Sequence, residues 1–473
     1  MEVNFLKVAL IIFVLCFSLM AKASPTAYLP IGADHHLQLQ IDHLFVLTRG
    51  NPMRKPYAIK EIERALEGIQ QAKPALYQSI SRQLDRYRGE QKISRMGITA
   101  RLSSGEDQSL ANQRGLKSGE HIQGVLETVW RPNNFIVVQS GMDYRVNSGD
   151  LVPFNTFFAV SKGKLQLDIG YKEHWYSPFK FSSLLISSNA NIGPSVSLST
   201  IAPVVNWWHL NVDLFYTRLD KVNKGINYRN ELHDGSPHLL GTHLSIEPVE
   251  GWKLGFNRIL QFGGGPRKVS MGDIVKGFID PATNDNSYTQ EEQDTELGDQ
   301  IASITSSYRF NKGFPIEIYA ELAGEDTQGQ SNLSLGNQAT NVGIFLPNIN
   351  NIAFRYEYNR FKTSWYTNHN YSFGNTNQGN VFGHYAADRR KFGHGIPAEI
   401  HKASLDFFTT MNKSWGLSLA SINNKDKAIY DRSYELQLEN RYYWQNNRVE
   451  SKLTLGESVF SKNYAFFSVA ILW

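Results

Sequence analysis

Apolar and polar residues alternate with a period of two along most of this chain. Leu165, Leu167, Ile169 and Tyr171 interleave with Gln166, Asp168, Gly170 and Lys172, and Leu210, Val212, Leu214 and Tyr216 with Asn211, Asp213, Phe215 and Thr217. Ile316, Ile318, Ala320 and Leu322 alternate with Glu317, Tyr319 and Glu321; Ile352, Phe354, Tyr356 and Tyr358 with Arg355, Glu357 and Asn359; Leu436, Leu438 and Tyr442 with Glu435, Gln437, Glu439 and Arg441. Successive strand side chains point to opposite faces, so each run predicts a strand with one apolar and one polar face. A soluble sandwich would turn the polar face to bulk water. A transmembrane barrel would turn it to a wet lumen and the apolar face to lipid.

The connections favour the barrel. Short turn signals join neighbouring runs at Arg131-Pro132-Asn133-Asn134, Lys162-Gly163-Lys164, Glu250-Gly251, Asn311-Lys312-Gly313, Asn348–Asn351, Asn412-Lys413 and Gln445-Asn446-Asn447. Between them lie long polar connections near Ser103–Glu120, Trp175–Gly193, Asp220–His238, Phe262–Gln300, Gly324–Ala339 and Lys362–Glu399. Short periplasmic turns alternating with long extracellular loops mark outer-membrane barrels. With the C-terminus in the periplasm, strands begin near residues 94, 121, 135, 155, 164, 195, 208, 239, 252, 301, 315, 340, 351, 400, 415, 434, 448 and 464, eighteen in all. The last run places Phe467, Val469, Ile471 and the terminal Trp473 on one face, resembling the end signal read by outer-membrane assembly machinery.

The pattern changes ahead of residue 93. Ile41, Leu44, Phe45 and Leu47 suggest one helix, ended by Gly50-Asn51-Pro52. Ile62, Leu66 and Ile69 make a helical stripe after Pro56, and Leu76, Ile80, Leu84 and Tyr87 make another, with Pro74 where a first-turn proline is tolerated. Three such helices can bury their stripes against each other or against the barrel rim. Preceding the first strand, they are expected in the periplasm. Residues 1–23 combine Lys7, the apolar run Val8–Phe17 and Ala21-Lys22-Ala23, which predicts a cleaved signal peptide and a mature chain beginning at Ser24. The expected organisation is therefore a signal peptide at 1–23, a small α-helical bundle at 24–92 and an all-β transmembrane barrel of about 18 antiparallel strands at 93–473.

Composition sharpens this little. Hydrophobic residues make up 41% and aromatics 12% of the chain, and no segment after Ala23 is a continuous apolar run of helical-span length. The single cysteine, Cys16, lies in the signal segment behind Val14 and Leu15, so neither a lipid anchor nor a disulfide is expected.

No enzyme or metal motif emerges. His394, Glu399 and His401 lack the spacing of a zinc helix, and Gly263-Gly264-Gly265 lacks the lysine of a phosphate loop. The loops are polarised, however. Phe262–Gln300 carries eight acidic residues (Asp273, Asp280, Asp285, Glu291, Glu292, Asp294, Glu296, Asp299) against Arg267, Lys268 and Lys276, a net −5. Lys362–Glu399 sets Lys362, Arg389, Arg390 and Lys391 against Asp388 and Glu399, a net +2, and adds three histidines and Trp365, Tyr366, Tyr371, Phe373, Phe382, Tyr385 and Phe392. Aromatic faces stack on sugars, and guanidinium forks grip carboxylates. The same aromatics would equally serve to pack the loop, and Tyr356, Tyr358 and Trp444 suit a membrane girdle.

Three segments carry a family resemblance. GYKEHWYSPFKFSSLLISSNAN (Gly170–Asn191), NRILQFGGG (Asn257–Gly265) and VFGHYAADRRKFGHGIP (Val381–Pro397) resemble blocks of the Wzi capsule-attachment family, with Tyr176-Ser177-Pro178 where that family usually has Trp-Gly-Pro. The resemblance runs from about Leu29 to Trp473. It implies an eighteen-stranded barrel with a periplasmic helical bundle, and a non-enzymatic, lectin-like role in attaching capsular or exopolysaccharide to the cell surface. The candidate contacts in the extracellular loops are Arg389, Arg390, Lys391, Tyr385, Phe392, His384, Trp175 and Tyr176. Outer-membrane lipids are the other expected partner. No nucleic acid, cofactor or metal is expected, and a monomer is. The alternative is a diffusion channel for small solutes, because the inward Arg355, Glu357, Asp213, Lys172 and Glu439 could line water or lock into ion pairs. Register makes Leu214→Arg damaging, at about 2–4 kcal/mol for a lipid-facing cation, and Asp213→Asn far milder.

Overall fold

The computed structural model describes residues 24–473 except 33, 271, 275–276, 278–296, 326–334, 411 and 445–446. The signal-peptide expectation and six of the eight acids of the Phe262–Gln300 connection lie outside these residues. No described helix is long and apolar enough to cross a membrane.

Among the described residues eighteen strands form one closed antiparallel barrel. They are β1 Gln91–Gly105, β2 Ile122–Asn133, β3 Ile136–Arg145, β4 Leu151–Lys162, β5 Leu165–Tyr171, β6 Ser195–Thr200, β7 Asn211–Arg218, β8 His238–Val249 and β9 Trp252–Phe262. The circuit continues through β10 Gly298–Phe310, β11 Ile316–Glu325, β12 Ala339–Ile349, β13 Ile352–Phe361, β14 Ala398–Thr410, β15 Lys413–Asn424, β16 Ser433–Trp444, β17 Asn447–Glu457 and β18 Asn463–Leu472. Each strand pairs with its sequence neighbours, and β18 closes on β1 with Val469 opposite Ala100. Closure leaves no open edge. Every strand begins within four residues of its expected start.

The alternation points as the sequence predicts. Leu214, Phe256, Ile304, Ile318, Leu322 and Val342 are exposed on the outer wall, while Asp213, Asn257, Ser303, Glu317, Glu321 and Asn341 are buried inside. Outward aromatics gather at the short-turn end, among them Trp130, Phe135, Trp252, Phe310, Phe314, Trp415 and Trp473, where amphipathic rings suit the membrane interface. The turn after β6 is longer than its neighbours: residues 201–210 separate the short strand β6 from β7, and Trp207 and Trp208 stand exposed on it.

The three expected helices are α1 His35–Leu47, α2 Ile59–Glu67 and α3 Pro74–Leu84. Asp34 caps α1 by accepting from Leu37 N–H at 2.9 Å, and Thr48 ends it by donating through Oγ1 to Leu44 O at 2.8 Å. Leu37, Ile41, Leu44 and Phe45 pack with Ile62, Leu66, Ile80 and Leu84 in one apolar cluster. Leu39 and Val46, on the other side of α1, pack with Tyr319, Phe345, Ala353 and Phe408 of the inner wall. A helix apolar on both sides is a buried helix.

The N-terminal segment thus fills the short-turn half of the lumen, held by the polar inner face. Gln166 Oε1 accepts from Thr26 N–H (2.8 Å) and Gln139 Oε1 from Tyr28 N–H (3.0 Å). Arg309 Nη1 donates to Phe45 O (3.0 Å), Tyr443 Oη to Asp34 Oδ2 (2.7 Å), and Arg54 pairs with Asp213 at 3.0 Å. Lys172 and His174 lie 3.2 and 3.1 Å from the same Asp213 carboxylate. Asp213 is therefore the hub of a buried network, which argues against the expectation that Asp213→Asn is far milder than Leu214→Arg: its partners Arg54, Lys172 and His174 are themselves buried.

Candidate functional site

At the long-loop end the inward face changes character. One strand step beyond Asn257, Ser303, Glu321, Asn341 and Asn359, the inward positions are Ile259, Ile301, Ala323, Ala339 and Phe361, all buried in one large apolar cluster. The other half of that cluster comes from loops: Tyr176, Leu184, Leu185 and Ile186 from 172–194, and Trp365, Tyr366, Phe382 and Tyr385 from 362–397. The serine-leucine run therefore folds inward as part of a lid rather than standing in solvent.

Backbone contacts lock the loops together. Ser187 N–H donates to Phe382 O at 2.8 Å, Tyr366 Oη to Leu184 O at 2.5 Å, and Gly115 N–H to Asn189 O at 2.9 Å. Tyr371 Oη donates to Gly263 O at 3.1 Å, so all three segments of the family resemblance meet in this lid. Gly383 packs so closely that a Cβ there would collide with Leu184 O and the Tyr366 hydroxyl.

Of the eight candidate residues, six serve the lid or the plug. Trp175 pairs backbone to backbone with Lys55 (2.9 and 3.0 Å) and lies under its ammonium at 4.4 Å, while burial pushes that ammonium down to about 8. Tyr176 donates to Asp213 Oδ1 at 2.8 Å. His384 accepts from Ala386 N–H at 3.2 Å and stacks on Tyr385 at 4.9 Å; burial, helped by the Lys402 ammonium, pushes its imidazole down to about 3. Arg389 donates to Ser109 O at 2.7 Å, and Arg390 to Ile396 O at 3.0 Å and to Trp365 O. Nearby Asp388 is lifted by burial to about 6, although Asn189 Nδ2 (2.6 Å) and Val381 N–H (3.0 Å) donate to it.

Lys391 and Phe392 alone among the eight are open. Phe392 is 53% exposed and meets Phe373, 36% exposed, at 5.4 Å between ring centroids. Phe373 packs on Gly225 of a small antiparallel hairpin, residues 222–235, docked by Ser372 N–H to Gly225 O and Asn227 N–H to Asn370 O, both 2.9 Å. That hairpin presents Lys224 and Arg229 to solvent, the Arg229 guanidinium 5.2 Å from the Tyr228 ring. Sequence reasoning passed over the hairpin as a polar connection. Its one local signal was Gly225 between alternating residues. Below the lid, Arg389 borders a 180 Å³ cavity inside the wall.

A family model described as capsule assembly protein Wzi matches residues 79–393. The chain belongs to the Wzi family. An uncharacterised 55.8 kDa protein from the cps region of Klebsiella pneumoniae is 25% identical over 310 residues, 59% of this chain and 55% of the relative; the chain thus spans about half the length of that curated relative. Among solved structures, the Escherichia coli outer-membrane protein Wzi, involved in group 1 capsule assembly and described as a carbohydrate-binding β-barrel, superposes with a TM-score of 0.72 at 16% identity, covering 95% of this chain and 99% of the other. Pseudomonas aeruginosa OccK3 (OpdO) shares the barrel alone, with a TM-score of 0.50 at 10% identity over 82% of this chain and 97% of the other. The protein is an outer-membrane β-barrel of the Wzi family, with the eighteen strands that its sequence predicts.

Proposed function

We propose that this barrel is a non-enzymatic, lectin-like attachment point for an exported acidic polysaccharide, gripped on the long-loop face. In this reading the long loops are extracellular, and the short turns and helices α1–α3 face the periplasm. The observation that carries it is the exposed Phe373–Phe392 pair beside Lys391, with Lys224 and Arg229 on the adjoining hairpin. Ring faces stack on sugars, and the cations attract uronate carboxylates. The carbohydrate binding described for Escherichia coli Wzi supports the same reading.

The diffusion-channel alternative meets an obstructed lumen. Asp213, Lys172, Arg355, Glu357 and Glu439 are engaged in pairs or hydrogen bonds, with Arg54, Lys180 N–H and one another among the partners, rather than lining open water. Purified protein in a planar bilayer should therefore show no steady single-channel steps; sustained conductance would favour the channel.

Arg389 and Arg390 brace the lid, so replacing them mixes structure with binding. The cleaner variant is Lys391→Ser with Phe373→Ser and Phe392→Ser. One exposed charge contributes about 0–1 kcal/mol, but contacts repeated along a polymer multiply through avidity. The triple variant should shed surface polysaccharide, measured by flow cytometry and normalised to barrel content, with heat-modifiable mobility unchanged. Retention equal to the parent protein would remove this face from the binding site.

A further inference from the structure

The 180 Å³ cavity under the lid lies against β14–β17 and is closed by Asn112 of the 106–121 loop, Phe181 of the 172–194 loop and Arg389. It holds about six waters' worth of space. That is well under the roughly 300–1,000 Å³ of a drug-sized pocket, so it suits one small molecule and not a polymer.

Its charges do not balance. Lys180, Arg355, Arg389, Lys402, Arg441 and Lys452 line it against Asp406, Glu435 and Glu439. Asp406 is taken by Arg355 (2.9 Å) and Arg441 (3.0 Å), and Glu439 by Arg441 and Lys452 (3.3 Å). Glu435 accepts from the Tyr464 hydroxyl at 2.8 Å, and Lys180 pairs with Glu317 outside the cavity at 3.1 Å. Lys402 makes no hydrogen bond or ion pair among the described residues: Glu435, which it shares with Arg389, acts on it only at longer range, and its ammonium lies over the rings of Phe181 (5.0 Å) and Tyr385 (5.3 Å). The Thr454 hydroxyl, on the same cavity wall, is buried without a hydrogen-bond partner. A cation without a direct partner and a buried hydroxyl without an acceptor on one cavity wall are groups that an occupant of the cavity would satisfy.

We propose that this cavity is a binding site for one small oxyanion, with Lys402 and Thr454 as its principal donors. Two sources share that chemistry: the carboxylate of a single uronate sugar, and free inorganic phosphate. The site is separate from the polymer face at Phe373 and Phe392, so either can fail without the other.

The test uses full-length protein in detergent, with glucuronate, inorganic phosphate and uncharged glucose as probes in thermal-shift and calorimetric titrations. Glucuronate or phosphate at about 10 mM, some ten times a millimolar Kd, should raise the unfolding temperature, and glucose should not. Saturation by glucuronate but not phosphate assigns the site to a sugar acid; saturation by phosphate but not glucuronate assigns it to a free anion; mutual competition assigns it to both. Lys402→Gln should weaken anion binding about tenfold or more, the worth of one charge-assisted hydrogen bond. Thr454→Val should weaken it severalfold, and Lys402→Arg should retain it, which separates loss of the donor from loss of the fold. No shift with either anion, an equal shift with glucose, or parental affinity in folded Lys402→Gln would overturn the proposal.

Discussion

The barrel is closed twice, by opposite chemistry. In the short-turn half, helices α1–α3 and the segments around them meet a polar wall, and the closure relies on Arg54–Asp213, Arg309 with Phe45 O, and Tyr443 with Asp34. In the long-loop half, the 172–194 and 362–397 loops meet inward Ile259, Ile301 and Phe361, and the closure is an apolar core. The two touch where Lys55 pairs with Trp175. Charges taken from water need every partner in place, whereas apolar packing tolerates change of any one contact more gradually. The plug should therefore fail sharply on loss of a single charge, and the lid by degrees.

The largest expected effect breaks the plug. Asp213→Asn takes the paired carboxylate from Arg54 and leaves Lys172 with Asp168 alone, and removal of one partner of a buried pair costs about 3–5 kcal/mol. It should lower urea resistance in micelles more than Leu214→Arg does, at about 2–4 kcal/mol. Parental stability of Asp213→Asn would show that ion pairs do not hold the plug.

Overpacking the lid comes next. Gly383→Val should cost about 1–3 kcal/mol, seen as faster proteolysis within 362–397 while the barrel keeps its heat-modifiable mobility. Unchanged proteolysis would mean that the Gly383–Leu184 contact is not tight in solution.

A smaller, pH-dependent effect separates a polar detail from the apolar lid. The folded state holds His384 near 3, below its ordinary value of about 6.5. Its contribution is full above about pH 6.5 and is lost as pH falls toward 3, amounting to about 1 kcal/mol by pH 5.5. Asp388, lifted to about 6, works in the opposite sense and gains over the same descent. Comparison with His384→Asn cancels the Asp388 part. Hydrogen exchange at 381–390 should rise more on acidification in the parent than in that variant, and parallel pH profiles would reject the assignment. At the bottom of the scale, Lys391→Ser alone should change stability by no more than about 0–1 kcal/mol, with urea midpoints expected to coincide.

The candidate site was legible in its location and not in its residues. Aromatics and cations clustered in 362–399 marked the right loop, but Trp365, Tyr366, Phe382 and Tyr385 turned inward while Phe373 and Phe392 stayed out. In irregular backbone no period tells one aromatic from another. The hairpin at 222–235 carries Lys224 and Arg229 to the same face, and nothing local to it records that Phe373 will pack on Gly225. Inside the wall, Arg355 and Glu439 were legible as inward, but whether they would line water or pair depended on what filled the lumen.

By itself the sequence determined the wall, because a strand's period of two and a lipid surround leave each side chain one acceptable face. It also determined the three helices, whose stripes and first-turn proline are local signals. Only the tertiary structure decided that those helices enter the lumen, that Asp213 gathers Arg54, Lys172 and His174, and that the serine-leucine loop becomes a core. Those outcomes join residues distant in the chain, Asp213 with Lys172 across 41 positions and with Arg54 across 159, through space left over once the wall has closed, and no local pattern encodes the contents of that space.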